Sequence, residues 1–191
     1  DDPAWTWHDV YDDCSYRVGG GCVISAVNGR TLGSSDLWIV RWQNVSAPRL
    51  LRGAEGDFGI ETRVRPADDL TPAIGGLLLW KDRHTYLRLD VGAYGPRAVT
   101  FQGCQQDHDQ IHGRGGLRSG EAALRLERAG DTVRALFRED DGWRLVREAP
   151  WPAPDPVSVG LFAIGAVNRL IYPGAFQEGT AIHFDCFDMR Q

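Results

Sequence analysis

Residues 124–138, which read LRLERAGDTVRALFR, decide the fold class of this chain. Their apolar side chains recur at every second position on both sides of a turn at residues 129–131, and they are Leu124, Leu126, Val133, Ala135 and Phe137. A period of two puts alternate side chains on one face of a strand, and a short turn containing Gly and Asp joins two such strands. The stretch therefore predicts a half-buried β-hairpin.

The same alternation continues outside this hairpin. It is clearest at residues 58–65 and 86–91, and further strands are predicted at 22–26, 37–42, 76–80, 99–102, 143–146, 157–164 and 181–187. Clusters of Gly, Pro, Asp and Asn separate these segments, and even the most helix-like window, 121–128, alternates as a strand. About a dozen short strands without helices indicate an all-β, two-sheet antiparallel jelly-roll β-sandwich. We expect it to form a single domain over residues 1–191.

Composition excludes several classes of protein. The chain has 191 residues, of which 42% are hydrophobic and 25% charged, with a formal net charge of -5. It contains neither an apolar run of the roughly 18 residues that a spanning helix needs nor the basic stripe of a nucleic-acid-binding protein. We therefore expect neither a membrane nor a nucleic acid as a partner.

The cysteines and the start of the chain leave the compartment open. Cys14 and Cys22 flank a turn-prone segment and are candidates for a disulfide, whereas Cys104 lies in a Gly-rich stretch and Cys186 in a predicted buried strand. Four cysteines permit two disulfides, but free cysteines are also common small core residues. The sequence begins at Asp1 without a signal-peptide pattern, so both a secreted and a cytoplasmic location remain possible.

Several segments, in this order, resemble a known family. They are Trp5-Thr6-Trp7, residues 46–52, 56–58, 75–80, 86–89 and 157–165, and the closing stretch 182–187. On these segments the chain resembles the DUF1349 family of the concanavalin A-like lectin/glucanase group, which is similar to the C-terminal sandwich domain of family 43 β-xylosidases. The resemblance implies a concanavalin A-like sandwich. It leaves the activity open, because this fold is used by lectins, hydrolases, lyases and structural modules.

The sequence bears on three kinds of catalytic site. Glucanases of this fold carry Glu-x-Asp-x-x-Glu on one strand, and the sequence lacks that motif, so a hydrolase is not expected. Polysaccharide lyases of this fold, which act on uronate polymers, use a Gln-Ile-His segment, which matches residues 110–112. Such a lyase would use His112 as base and Tyr172 as acid. The pair His108 and His112 has zinc-protease spacing, but the surrounding glycines predict a polar loop there.

The remaining candidate is a sugar-binding surface of aromatic and planar polar side chains. Sugar rings stack on aromatic faces, and forked polar groups bind neighbouring hydroxyls. The candidate ligand-binding residues are Arg49, Trp80, His84, Tyr86, Arg88, Asp90, Trp143, Asn168 and Tyr172. Trp5, Trp7 and Trp38 are instead expected in the core.

Strand alternation defines the centre of this surface. With Leu87 facing the core, Tyr86, Arg88 and Asp90 share the opposite face of their strand, and a short hairpin brings Trp80 near Tyr86.

The leading functional hypothesis is a non-catalytic, lectin-like carbohydrate-binding module. It would be an accessory or sensor domain of a larger protein, fused to or associated with other domains, with a glycan or another small polar molecule as ligand. The alternatives are the lyase and a structural or protein-interaction domain without a sugar site.

No cofactor is certain, but the family resemblance implies a candidate structural Ca²⁺ site. Related sandwiches often hold such an ion with a carboxylate of the last strand. Asp185 is the matching residue here, with Asp12 and Asp13 as further oxygen donors. The alternative is that Asp185 accepts hydrogen bonds from the backbone or an arginine, with no ion.

Overall fold

A computed structural model describes residues 3–37, 40–67, 73–140, 142–165 and 179–191, with the side chains of 34–37 and 40–43 left out. The described residues form strands, turns and connecting segments, without a helix. Accordingly, no described helix has the length and apolarity to cross a membrane.

Sixteen strands make up the described chain. They are β1 (Thr6–His8), β2 (Ser15–Val18), β3 (Cys22–Ala26), β4 (Leu32–Leu37), β5 (Val40–Val45), β6 (Arg49–Ala54), β7 (Phe58–Pro66), β8 (Ile74–Asp82), β9 (Thr85–Gly92), β10 (Gly95–Gln105), β11 (His108–Gly116), β12 (Ala122–Ala129), β13 (Thr132–Arg138), β14 (Arg144–Pro150), β15 (Val157–Ile164) and β16 (Thr180–Arg190).

Fourteen of these strands form two antiparallel sheets of seven. Sheet A has the order β1-β6-β15-β8-β9-β10-β11, and sheet B has the order β14-β13-β12-β7-β16-β3-β2. The two sheets pack face to face, while β4 and β5 form a separate hairpin. The predicted all-β, two-sheet antiparallel sandwich is confirmed.

The hairpin that decided the fold class is β12–β13. Its strands pair from Ala123 opposite Arg138 to Ala129 opposite Thr132, which leaves a two-residue turn. The first turn residue, Gly130, has a φ of 55°, a left-handed conformation that glycine adopts without a steric cost. The alternating apolar side chains of both strands are buried between the sheets.

Apolar side chains are buried on both faces of sheet A. The main core lies between the sheets and includes Leu77, Leu79, Leu87, Leu89 and Phe101 of sheet A together with Ile60, Leu124, Leu126, Ile182 and Phe184 of sheet B. A second cluster lies on the outer face of sheet A and contains Leu32, Ala47, Leu51, Leu78, Tyr86, Cys104, Phe162 and Ile164. Because Leu32 belongs to β4 and Ala47 follows β5, the hairpin and the segment after it cover part of this outer face.

Two local predictions were wrong. Residues 37–42 were predicted as one strand, but they contain the end of β4 and the start of β5, which pair with each other from Leu37 opposite Val40. Residues 108–112 were predicted as a polar loop, but they begin β11 at the edge of sheet A. Backbone pairing with β10 forms this edge strand, so its polar, exposed side chains do not prevent it.

All four cysteines are free thiols. Cys104 is buried, but Cys186 is exposed, which contradicts its predicted place in a buried strand. The reason is an irregularity in the register of β16 between Phe184 and Phe187, which breaks the alternation of side chains. Trp5 and Trp7 are half-buried and pack against the core, and Trp38 lies outside the described residues.

Candidate functional site

The outer face of sheet A carries a buried polar cluster on β9 and β10. Tyr86, Arg88 and Asp90 share this face, as predicted, because Leu87 and Leu89 point into the main core. The face is more enclosed than strand alternation implies: Tyr86 is only 1% exposed and Asp90 0%. Buried polar side chains of this kind need partners within the protein or from a ligand.

Asp90 has two side-chain partners. Its Oδ2 lies 3.3 Å from Nε of Arg88 and accepts a hydrogen bond of 3.1 Å from the Gln102 amide. Complete burial raises the pKa of Asp90 to about 6, and Arg88 and Gln102 oppose this rise only in part. The carboxylate thus orients Arg88 from a position that solvent does not reach.

Three polar atoms of the cluster have no hydrogen-bond partner among the described residues. They are the buried Nη1 of Arg88, Oδ1 of Asp90 and Oγ1 of Thr100, which is directly opposite Asp90 on β10. Leaving such atoms unpaired costs about 1–3 kcal/mol each, and more for a charged group. The cluster is therefore equipped to bind a polar molecule.

Gly76 gives Arg88 room on this face. It lies on β8 between Asp90 of β9 and Phe162 of β15, and an added Cβ would lie 2.0 Å from the carbonyl oxygen of Leu89. Without a side chain at this crossing, Arg88 reaches across β8 until its guanidinium carbon is 5.7 Å from the Phe162 ring centroid.

An aromatic stack borders the polar cluster. Trp80 and Tyr86 stack with ring centroids 5.5 Å apart, which confirms that the short hairpin brings them together. The guanidinium carbon of Arg49 lies 4.4 Å from the Trp80 ring centroid, and its Nη1 donates to the carbonyl oxygens of Val45 and Ala47. Arg49, Trp80 and Tyr86 therefore form a continuous stack in which Tyr86 has almost no exposed surface.

A cavity of about 210 Å³ opens onto this face. Its lining residues are Leu32, Gly33, Tyr86, Arg88, Tyr94, Gln102, Gly103, Asp109, Gln110 and Ile111. The Tyr86 hydroxyl donates to the Asp109 carboxylate, and burial together with this acidic neighbour raises the Tyr86 pKa. Tyr94 and Ile111 are half-exposed apolar side chains, so the cavity combines polar groups with an apolar border.

Two other predicted ligand residues, His84 and Trp143, do not line this cavity. The His84 ring contacts the Asp107 carboxylate at the hairpin tips. Trp143 lies beside sheet B, with the guanidinium carbons of Arg125 and Arg138 at 4.0 Å and 4.8 Å from its ring centroid. The predicted ligand residues Asn168 and Tyr172 lie outside the described residues.

His112, the base proposed for a lyase, lies away from the cavity, and the proposed acid Tyr172 lies outside the described residues. His112 does not line the cavity, although Gln110 and Ile111 do. Its ring packs against the core residue Phe101, with centroids 5.2 Å apart, and burial lowers its pKa. The position of His112 does not fit a base acting on a sugar in this cavity.

The described surroundings of Asp185 do not fit a Ca²⁺ site. Its Oδ2 lies 3.9 Å from Nε of Arg63, in line with the ion-free alternative. Asp13 pairs with Arg30 instead, and the acidic group near the N-terminus consists of Asp9, Asp13 and Cys14 without Asp185. Since Ca²⁺ needs 6–8 oxygen ligands, one carboxylate beside a guanidinium is far from a complete shell.

Several residues of the site were missed by the sequence analysis. Thr100 of the polar cluster and Gly103 of the cavity belong to β10, while the cavity residues Asp109 and Tyr94 belong to β11 and to the turn before β10. The available signal was alternation along β10, which puts Thr100 on the same face as Gln102. Asp109 had no such signal because its segment was predicted as a loop.

Comparison with solved structures shows the same fold in other proteins. The chain is similar to a functionally unknown protein from Saccharomyces cerevisiae, with 15% identity, a TM-score of 0.76, and coverage of 98% of this chain and 96% of that one. It is similar to the GH43 protein BlXynB from Bacillus licheniformis, with 12% identity, a TM-score of 0.68, and coverage of 97% and 36%. It is also similar to the carbohydrate-binding module CBM66 from Bacillus subtilis, with 14% identity, a TM-score of 0.59, and coverage of 98% and 96%.

These similarities show the sandwich fold alone, because the sequence identities are low. No protein-family model and no curated protein sequence matches the chain. The chain spans about a third of the length of the GH43 protein, but nearly the full length of the carbohydrate-binding module.

Proposed function

We propose that this protein is a non-catalytic, lectin-like carbohydrate-binding module of the DUF1349 type, with residues 1–191 forming one domain. The observation that carries the proposal is Arg88 in the lining of the polar cavity, with Nη1 buried and unpaired among the described residues. A sugar hydroxyl is a suitable acceptor for this donor. Tyr94 and Ile111 at the border offer apolar surface to the C–H face of a sugar ring.

The charges and the size of the cavity favour a neutral ring. Asp90 already pairs with Arg88, and Asp109 adds a second carboxylate, so the cavity carries no excess of positive charge for an anionic ligand. Its volume of about 210 Å³ is below the roughly 300 Å³ at which pockets for drug-sized ligands begin. One sugar unit is the matching ligand.

The acidic groups of the cavity do not support glycoside hydrolysis. That reaction needs two carboxyl groups on either side of an accessible glycosidic bond. Asp90 is inaccessible to solvent, and Asp109 is engaged by the Tyr86 hydroxyl. This arrangement is suited to binding.

The similar folds add support for a role alongside other domains. One is a carbohydrate-binding module, and the GH43 protein is much longer than this chain. We propose that this protein likewise works as an accessory or sensor domain, fused to or associated with a larger protein. Asn168 and Tyr172 remain predicted contributors to the ligand site.

The test is a glycan array followed by calorimetric titration of the best glycan. Arg88→Gln should weaken binding about tenfold or more, since a hydrogen bond to a charged group contributes roughly 1.5–3 kcal/mol. Tyr94→Ala should weaken it roughly two- to tenfold, as expected for a stacked aromatic ring. Trp143→Ala is the matched control, because it removes a partly exposed aromatic ring beside sheet B.

Two results would contradict the proposal. One is the absence of any glycan ligand for the folded protein, which would favour a structural or protein-interaction domain. The other is the appearance of unsaturated uronate, detected by ultraviolet absorbance, when the protein is incubated with uronate polymers, which would favour the lyase.

A further inference from the structure

A larger cavity, of about 440 Å³, lies at the opposite side of the sandwich. It opens near β1, an edge strand of sheet A, and β2, an edge strand of sheet B. Its lining residues are Trp5, Tyr16, Val18, Gly21, Cys22, Leu50, Leu161, Asp185, Cys186 and Phe187. None of them lines the candidate sugar site.

The walls of this cavity are aromatic and its floor is aliphatic. Trp5 and Phe187 meet edge to face, with ring centroids 4.8 Å apart and an interplanar angle of 81°. Leu50 and Leu161 reach it from the main core. The volume falls within the roughly 300–1,000 Å³ of small-molecule sites, and aromatic walls of this kind suit a flat ring.

Asp185 brings a negative charge to the cavity, while the guanidinium carbon of Arg52 lies 5.6 Å from the Trp5 ring centroid. The Asp185 side chain is 53% exposed there, and the thiol of Cys22 stays neutral because burial raises its pKa to about 11. Burial and the charges of Asp188, Glu61 and Asp185 raise the pKa of Cys186.

Arg63 compensates for this charge only in part. Its Nε is 3.9 Å from the Asp185 carboxylate, whereas its guanidinium hydrogen-bonds to Glu121 through both Nε and Nη2. Asp185 therefore remains available to a cation that arrives from solvent.

We propose that this cavity binds a flat aromatic molecule that carries an ammonium group. The ring lies against Trp5 and Phe187 above the aliphatic floor, and the ammonium group pairs with Asp185. This gives Asp185, which the sequence analysis assigned to a metal, a role in binding an organic cation.

Three indole compounds of equal ring structure and different charge test the proposal. Calorimetric titration at neutral pH compares tryptamine, a cation, with neutral tryptophol and anionic indole-3-acetate. We expect saturable binding of one tryptamine per chain. Tryptophol should bind roughly two- to fivefold more weakly, since a partly exposed ion pair contributes at most about 1 kcal/mol, and indole-3-acetate more weakly still.

Variants locate the site. Asp185→Asn should reduce the affinity for tryptamine to that for tryptophol. Cys186→Trp fills the mouth from an exposed position and should abolish binding of all three compounds, whereas Leu145→Trp, at an exposed position of β14, should leave it unchanged.

Three outcomes would overturn the proposal. They are no binding of tryptamine to the folded protein, undiminished binding to Cys186→Trp, and equal affinities for the three compounds. Thermal unfolding of each variant shows whether it is folded, so a loss of binding can be separated from a loss of structure.

Discussion

Asp90 should make the stability of this protein depend on pH. Its carboxyl is completely buried on the outer face of sheet A, and burial raises its pKa from 3.8 to about 6. The folded protein therefore holds this proton more tightly than the unfolded chain does. The stabilisation from the bound proton is complete below about pH 4 and is lost as the pH rises through 6.

The size of the effect follows from the change in pKa. A rise from 3.8 to about 6 corresponds to about 3 kcal/mol, because each pKa unit is worth about 1.4 kcal/mol at 25 °C. Solvent does not screen the Asp90 carboxyl and weaken this free-energy effect, since Asp90 has no exposed surface. Asp90→Asn keeps the shape of the protonated side chain and lacks the titration.

Urea unfolding of the wild type and Asp90→Asn between pH 4 and pH 7 measures this contribution. Other carboxyls titrate equally in both proteins, so the difference between their unfolding free energies isolates Asp90. We expect the wild type to lose about 2.5 kcal/mol relative to the variant across this range, since part of the effect falls below pH 4. Asp131→Asn, at an exposed turn position, gives the general effect of removing one negative charge. A wild-type-minus-variant difference that is constant with pH would refute the reasoning.

Three further predictions concern packing and accessibility. Tyr86→Ala should lower the unfolding free energy by about 3–5 kcal/mol in urea titrations, because it empties a buried aromatic position, whereas Tyr86→Phe should retain most of it. Gly76→Ala should destabilise the protein by about 1–3 kcal/mol, since the new Cβ meets the backbone of Leu89, and an unchanged melting temperature would contradict this. In alkylation followed by mass spectrometry, exposed Cys186 should be modified in the folded protein and buried Cys104 only after unfolding; the reverse order would contradict the described burial.

The fold was predictable because its signal is local. The alternation of apolar residues on β12 and β13 gives both the strands and the buried face, and a Gly-Asp turn joins them. The strand and burial predictions failed where the local sequence pattern and the pairing of strands disagree. β11 has few apolar residues and forms because β10 offers its backbone, and the register change in β16 exposes Cys186 against the alternation.

The centre of the candidate site was predictable only as a set of residues sharing a face. Alternation placed Tyr86, Arg88 and Asp90 together, but it does not tell which outer face of a sandwich is covered. Here residues around β4 and β5 cover part of sheet A, so a surface expected to be open is a buried polar cluster beside a small cavity. Trp143 was included because aromatic residues on the two sheets look alike in sequence, and only the strand order separates them.

The order of the strands also determines when the protein can fold during synthesis. The last two strands made, β15 and β16, are interior strands of sheet A and sheet B. Without β15, the pair β1–β6 has no connection to β8–β11, and without β16, the pair β2–β3 has no connection to the other half of sheet B. A nascent chain therefore holds separate pieces with open edges until β15 and β16 have been made, and such edges are prone to pairing with other chains. Completion of both sheets depends on contacts between residues more than a hundred positions apart, as in the pairing of β6 with β15, which makes slow folding the expected behaviour.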